Sequence, residues 1–124
     1  MNVALWIVQI ALGLLFLVVG GQHAGRPKEL IARDPRMGWV SDFSQPTVRF
    51  IGIAEILGGL ALIVGSLTAG TLLVGGAAVG LAVLMAGAVV VHARRREWGA
   101  AAFTAVLCLL AIVLAYGRFG PEPL

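Results

Sequence analysis

Residues 70–91 read GTLLVGGAAVGLAVLMAGAVVV, a run without a single charged side chain. A helix rises about 1.5 Å per residue, so about 20 residues cross the roughly 30 Å hydrocarbon core of a bilayer. A strand of a membrane barrel would alternate apolar and polar residues, and this run does not. It therefore predicts a transmembrane α-helix.

Three further apolar runs accompany this one, and together they predict spans at about residues 3–23, 47–66, 70–92 and 99–117. Only 12% of the 124 residues are charged and 60% are hydrophobic, whereas about a quarter of a soluble domain is charged. The predicted fold class is all-α, a polytopic membrane protein with a single domain over residues 1–124. Short connections between most spans favour an antiparallel four-helix bundle with one longer loop.

The basic residues predict the orientation of this bundle. Five of the nine fall after the first span or at the start of the second, and three form the run 94–96 after the third, which leaves Arg118 alone at the opposite end. By the positive-inside rule we expect a multi-pass protein of the inner (plasma) membrane, with loops 22–46 and 93–98 cytoplasmic and both termini outside. Reporter tags fused to the two chain ends would test this. Because the basic residues do not form a stripe interleaved with aromatics, the expected partner is the lipid bilayer and not nucleic acid.

The long first loop contains signals for local structure. Pro27 fits the first turn of a short surface helix, which Asp34–Pro35 would end because a residue before proline avoids the helical region. The second span is expected to begin just before Pro46.

Small residues predict which helix faces touch, because membrane helices associate through close packing of glycine and alanine. Residues three and four apart share a helix face, and on this basis the packing glycines are Gly13, Gly20, Gly52, Gly59, Gly76, Gly80 and Gly87. On the fourth span the inward face is expected to contain Ala101, Ala105, Cys108, Ile112 and Ala115. His92 points away from the third-span stripe, so we expect it at the membrane interface, unless that stripe serves a second subunit.

Three polar side chains fall on the glycine-lined faces and are expected to point inward: Gln9, His23 and Glu55. Glu55 is the most informative, since an ionised carboxylate near the bilayer centre costs roughly 2.5–3.5 kcal/mol and must be paired, protonated or beside water. Two interpretations stay open: a proton-accepting or ligand-binding carboxylate, or a buried glutamate that joins two helices. His23 either reaches toward Glu55 or bonds to headgroups at the interface.

Arg49 and Gln22 complete the set of candidate ligand-binding residues with Glu55, His23 and Gln9. Arg49 is six positions before Glu55, so we expect its side chain to extend to the interface and not to pair with that carboxylate. The histidines and the intramembrane acid have no metal-binding spacing, so no metal is predicted. No catalytic constellation is evident, and the sequence leaves open whether the protein is an enzyme.

Several motifs resemble the DoxX-like family of small bacterial four-helix membrane proteins. They are the opening 2–9, Gly20–His23 with Arg26–Glu29, the segment Arg49-x-x-Gly52-x-x-Glu55, and the closing 115–119. The resemblance implies a plasma-membrane protein linked to redox processes, because the family name derives from subunits of a thiosulfate:quinone oxidoreductase. By analogy, the resemblance implies that the region near Glu55 and His23 binds a quinone headgroup or another small partner, and it leaves the cofactor open between these. Many relatives have a lysine at the position of His23.

Three functional hypotheses follow. The first is a membrane subunit or accessory protein of a redox system, quinone-linked by the resemblance, with an inward polar site near Glu55 and His23. The second is a non-catalytic structural subunit that packs against other membrane or redox subunits, or against copies of itself. The third is an oligomeric small-molecule carrier, since four spans alone make a poor conduit.

Overall fold

The computed structural model describes residues 2–68 and 70–124. In chain order it contains α1 (Asn2–Gly25), α2 (Lys28–Ile31), a 3-10 segment (Pro35–Asp42), α3 (Gln45–Thr68), α4 (Thr71–Arg94) and α5 (Trp98–Phe119). Helices α1, α3, α4 and α5 are each long and apolar enough to cross a membrane, and the described ranges contain no strand. The predicted all-α membrane fold is therefore confirmed.

The bundle has two ends that differ in what they carry. The loop end carries α2, the 3-10 segment and the turn between α4 and α5, and the terminal end carries Asn2, Gly70 and Leu124. Between these ends the core is apolar, with a continuous cluster of buried leucine, valine, alanine, phenylalanine and methionine side chains. Polar contacts between the spanning helices are accordingly concentrated toward the two ends.

Helices α1 and α3 cross with their backbones in contact. A Cβ placed on Gly20 would lie 2.7 Å from the carbonyl oxygen of Gly52, and one placed on Gly59 would lie 2.7 Å from the carbonyl oxygen of Gly13. Real Cβ atoms do not approach other atoms so closely, so only glycine permits this crossing. These four glycines of α1 and α3 lie where the sequence pattern put them.

The glycine stripe of α4 lies elsewhere. A Cβ placed on Gly76, Gly80 or Gly87 would meet nothing within 4 Å, so these glycines do not pack against the other described helices. Helix α4 instead buries a neighbouring face, made of Val74, Gly75, Ala78, Leu81, Ala82, Met85 and His92. This face turns inward because it fits its neighbours closely: Leu81 packs on Gly58 of α3, Val74 packs on Gly65 of α3, and Gly75 makes room for Phe119 of α5. His92 consequently faces inward and not the interface, which corrects its expected placement.

Helix α5 is also rotated from its predicted face. It buries Ala101 and Ala115 as expected, but Ile112 is 48% exposed and Cys108 is only half-buried, with its thiol donating to the Ala82 carbonyl oxygen at 3.3 Å. Thr104, Leu107, Ala111 and Leu114 lie on the inward face instead, and the last buried residue of α5 is Arg118.

The long loop folds over the loop end of the bundle. Helix α2 follows Pro27, and Asp34 accepts a 2.9 Å hydrogen bond from the backbone N–H of Arg36 at the start of the 3-10 segment. The sequence pattern did not predict this 3-10 segment. Val40 within it is fully buried and packs in a small apolar cluster with Ile31 and Val48, so the segment is anchored to the bundle.

We expect Gly52→Ala to destabilise the protein by about 1–3 kcal/mol, because the added methyl group would collide with the α1 backbone. Gly76→Ala is the matched control, since it adds the same methyl group to a helix at a position with open space. Helix propensity makes that control neutral or stabilising by up to about 1 kcal/mol. Thermal unfolding in detergent measures both, and equal effects would contradict the close crossing.

Candidate functional site

The most unusual feature of the loop end is a buried contact between a histidine and a carboxylate. His23 Nδ1 lies 2.6 Å from Glu55 Oε1, and the two residues are only 4% and 3% exposed. Each follows a glycine of the α1–α3 crossing by three positions, Gly20 in α1 and Gly52 in α3, so the backbone contact brings the two side chains together. The glycines thus determine the geometry of the pair.

The second ring nitrogen of His23 lacks a partner. Nε2 is buried and has no hydrogen-bond partner among residues 2–68 and 70–124. A low-dielectric site favours states in which the pair has no net charge, namely imidazolium with carboxylate or imidazole with carboxylic acid. In the first state both ring nitrogens carry protons, and in the second the acid donates to Nδ1 and the ring proton sits on Nε2. Both neutral states therefore offer an N–H donor at Nε2.

Trp39 of the 3-10 segment covers this histidine. Its ring packs edge-on against the His23 imidazole, with centroids 5.1 Å apart and planes at 87°. The same indole lies 6.5 Å from the His92 ring at the end of α4 and 5.8 Å from Phe43. Trp39 therefore lies between two buried histidines from different helices.

His92 takes part in a second histidine–carboxylate contact. Its Nδ1 lies 2.8 Å from Glu97 Oε1, which is also 3.3 Å from Arg95 Nε, and Arg95 Nη1 donates to Asp42 Oδ2 at 2.7 Å. Arg96 makes the intervening turn with a positive φ of 58°, and the Glu97 N–H donates back to the His92 carbonyl oxygen at 2.9 Å. This network fastens the end of α4 to the 3-10 segment.

The charges of this network shift two pKa values outside the membrane spans. The hydrogen bond from His92 lowers the pKa of Glu97, burial raises it, and hydrogen bonding and attraction from Arg95 lower it further. The hydrogen bond to Asp42 raises the pKa of Arg95. Glu97 and Arg95 are therefore both charged at neutral pH.

The structure does not bring all five predicted site residues together. His23 and Glu55 meet, but Arg49 and Gln22 are exposed and make no side-chain hydrogen bond or ion pair with the described residues. Gln9 is fully buried at the other end of the bundle, where its Oε1 accepts a 2.9 Å hydrogen bond from Arg118 Nε. Among the described residues, no three histidine, cysteine, aspartate or glutamate side chains converge as a metal site would require.

Sequence reasoning missed three participants: Trp39, the pair formed by His92 and Glu97, and Arg118. A weak signal existed for the second pair, because His-Ala-Gly-Arg follows the first span at 23–26 and His-Ala-Arg-Arg follows the third at 92–95. The sequence pattern used Arg118 only to predict membrane orientation, although this arginine lies in the closing motif 115–119, beside Gly117.

Comparison with known proteins identifies the family. The model of the DoxX-like family matches residues 7–114, which include both histidine–carboxylate pairs. The chain belongs to the DoxX-like family. This membership and the four apolar helices agree on a multi-pass membrane protein. Searches of curated proteins and of solved structures find no significant match to this DoxX-like chain.

We expect Glu97→Gln to lower the thermal midpoint near neutral pH and to have no effect in strong acid. The folded-state pKa of Glu97 is depressed, so its carboxylate stabilises the fold above the unfolded pKa of about 4, and this contribution is lost as pH falls through the lower folded value. The measurement is the difference in thermal midpoint between native protein and variant across the acid range. A difference that is constant with pH would contradict the assignment.

Proposed function

We propose that this DoxX-like protein is a membrane subunit of a redox system and that it binds a quinone headgroup beside His23 and Glu55. The observation that carries the proposal is the buried His23 Nε2 without a partner among the described residues. A buried donor that makes no hydrogen bond costs about 1–3 kcal/mol, so a carbonyl oxygen that accepts from it would bind favourably. A quinone ring supplies such carbonyls on an otherwise apolar body that dissolves in the bilayer.

The pair also suits the proton chemistry of a quinone. Reduction of a quinone to a quinol consumes two electrons and two protons, and the protons must reach the carbonyl oxygens. The neutral pair holds a mobile proton shared between Glu55 and His23 and presents another at Nε2. His23 would position the headgroup and pass the Nε2 proton to one carbonyl oxygen. A redox partner subunit would supply the two electrons, and water at the cytoplasmic end would supply the second proton.

Trp39 would control access in this proposal. Its indole covers the His23 ring, and it belongs to a segment held by Val40 and by the Arg95–Asp42 ion pair. A headgroup would reach Nε2 by displacing the indole and stacking against it. The loop end would face the cytoplasm, since eight of the nine basic residues lie there.

A double variant, His23→Phe with Glu55→Leu, tests the proposal. Replacing both members of a buried polar pair by apolar groups of similar shape is often nearly neutral for stability, so the fold should survive. We expect quinone affinity to fall about tenfold or more, measured by titrating a short-chain quinone against tryptophan fluorescence in nanodiscs.

Two controls accompany that titration. Arg49→Gln alters an exposed residue outside the pair and should leave quinone affinity unchanged. Trp39→Phe should remove most of the quenching while quinone still co-purifies, as quantified by mass spectrometry. Equal quinone binding by the double variant and the native protein would refute the site.

The open face of α4 favours a second candidate, a non-catalytic subunit that packs against another membrane protein. Gly76, Gly80 and Gly87 leave free space on that face, and stripes of small residues allow backbones of neighbouring membrane helices to approach closely. In this alternative the face carries the function and the histidine–carboxylate pair serves only to join α1 to α3.

The second candidate predicts that Gly76→Ile with Gly80→Ile releases a partner subunit, because the branched side chains would block close approach. The His23→Phe, Glu55→Leu protein should keep that partner. Size-exclusion chromatography of complexes extracted in mild detergent, with quantification of the partner, measures both. A complex that survives the isoleucine substitutions would exclude this face as the contact.

A further inference from the structure

The terminal end of the bundle holds a fully buried arginine. Arg118 has no exposed surface, and its guanidinium lies 5.0 Å from the centre of the Trp6 ring. Its Nε donates to Gln9 Oε1 at 2.9 Å, and its Nη1 donates to Asn2 Oδ1 at 2.7 Å and to the Glu122 carbonyl oxygen at 2.9 Å. Three of its five N–H groups are thus accounted for by neutral oxygens.

The other terminal nitrogen of Arg118 makes no hydrogen bond to the described residues. Arg118 Nη2 is buried and has no hydrogen-bond partner within residues 2–68 and 70–124. No carboxylate oxygen of those residues lies within 4.0 Å of the guanidinium; Glu122 accepts from it through the backbone carbonyl, and its carboxylate attracts it only from a greater distance. A guanidinium does not lose its proton, so this end of the bundle contains a buried positive charge without a close counter-charge.

On the side of the cluster that faces the bundle interior, Gln9 is held by hydrogen bonds to α3. Gln9 Nε2 donates to the Leu62 carbonyl oxygen at 3.2 Å and to Ser66 Oγ, which in turn donates to the same carbonyl at 2.7 Å. These bonds orient the amide so that its oxygen faces Arg118. Gly117 allows α5 to approach α1 there, since a Cβ on it would meet the side chain of Leu5.

The side of the Arg118 cluster formed by Asn2 and Glu122 is closer to the protein surface. Asn2 is exposed, and Glu122 belongs to the short segment after α5. These two residues hold Nη1, so moving them away would present Nη1 and Nη2 together as a two-pronged donor. The exposed Tyr116 and Phe119 lie on the same turns of α5, as aromatic side chains do at the depth of lipid headgroups.

We propose that Arg118 binds a phosphate group at the terminal end of the bundle, with Gln9 and Trp6 holding the guanidinium in place. Paired N–H donors of arginine match the spacing of phosphate oxygens, and the phosphate would provide the missing counter-charge. A phospholipid headgroup and a soluble phosphate ester share this chemistry. The depth of the cluster favours the lipid. This site is separate from the quinone site proposed for the loop end.

The test titrates dioctanoyl-phosphatidylglycerol into the full-length protein in a neutral maltoside detergent and counts bound lipid by native mass spectrometry. We expect Arg118→Gln to weaken binding about tenfold or more, the usual size of a lost charge-assisted hydrogen bond. Arg26→Gln removes the same charge from an exposed position at the other end and should change binding less than about twofold.

A further pair of variants separates binding from folding. Asn2→Ala removes a competing acceptor and keeps the charge, so it should bind the lipid more tightly than the native protein does. Arg118→Lys keeps the charge but lacks the two-pronged donor, so it should bind more weakly. A purely structural arginine would make Asn2→Ala neutral or harmful and would leave the lipid count of Arg118→Lys unchanged.

Competition identifies the source of the phosphate. Displacement of the lipid by glycerol 3-phosphate would support a soluble phosphate ester, and lipid binding that resists it would support a headgroup. The proposal is overturned if dioctanoylglycerol, which has no phosphate, binds equally well. It is also overturned if Arg118→Gln and Arg26→Gln weaken binding to the same extent.

Discussion

The contact between the α1 and α3 backbones is the constraint on which the rest of the bundle depends. It exists because glycines face each other along the crossing, where any Cβ would collide with the opposite chain. His23 and Glu55 each follow a crossing glycine by three residues, so the same contact brings an imidazole and a carboxylate within 2.6 Å. Close packing and the polar pair therefore have a single structural cause.

Polar side chains are concentrated at the two ends of the bundle because the middle of the spans faces lipid and not water. An apolar core against lipid leaves no water to satisfy a polar side chain, so each such group in a span needs a partner inside the protein. Glu55 is hydrogen-bonded to His23, and Gln9 is hydrogen-bonded to the Leu62 carbonyl oxygen, Ser66 and Arg118. Four buried side-chain nitrogens of the described residues lack a hydrogen-bond partner: His23 Nε2, Gln45 Nε2 and Arg95 Nε belong to the loop end, and Arg118 Nη2 belongs to the terminal end. That pattern is why we place one proposed ligand at each end.

The loop end also shows how the two halves of the chain are joined. Trp39 lies between a histidine of α1 and a histidine of α4, and each histidine contacts its own glutamate. The Arg95–Asp42 ion pair links the end of α4 to the segment that carries Trp39. A substitution at either histidine would therefore alter the packing of the Trp39 indole. The indole thus connects the proposed quinone site to the network around Glu97.

The amino-acid sequence alone predicts the four spans, the family, the short helix after Pro27 and the inward faces of α1 and α3. Hydrophobic length and glycine spacing are local properties of one helix, so they can be read without its neighbours. The packing of the helices was needed to show that the stripe at Gly76, Gly80 and Gly87 is open, that His92 faces inward and that Trp39 covers His23. Which face of an almost uniformly apolar helix turns inward depends on the shapes of the helices around it. Arg118 is buried among Gln9, Asn2 and Trp6 because α5 packs against α1. These helices are distant in sequence, so no local pattern predicts that burial.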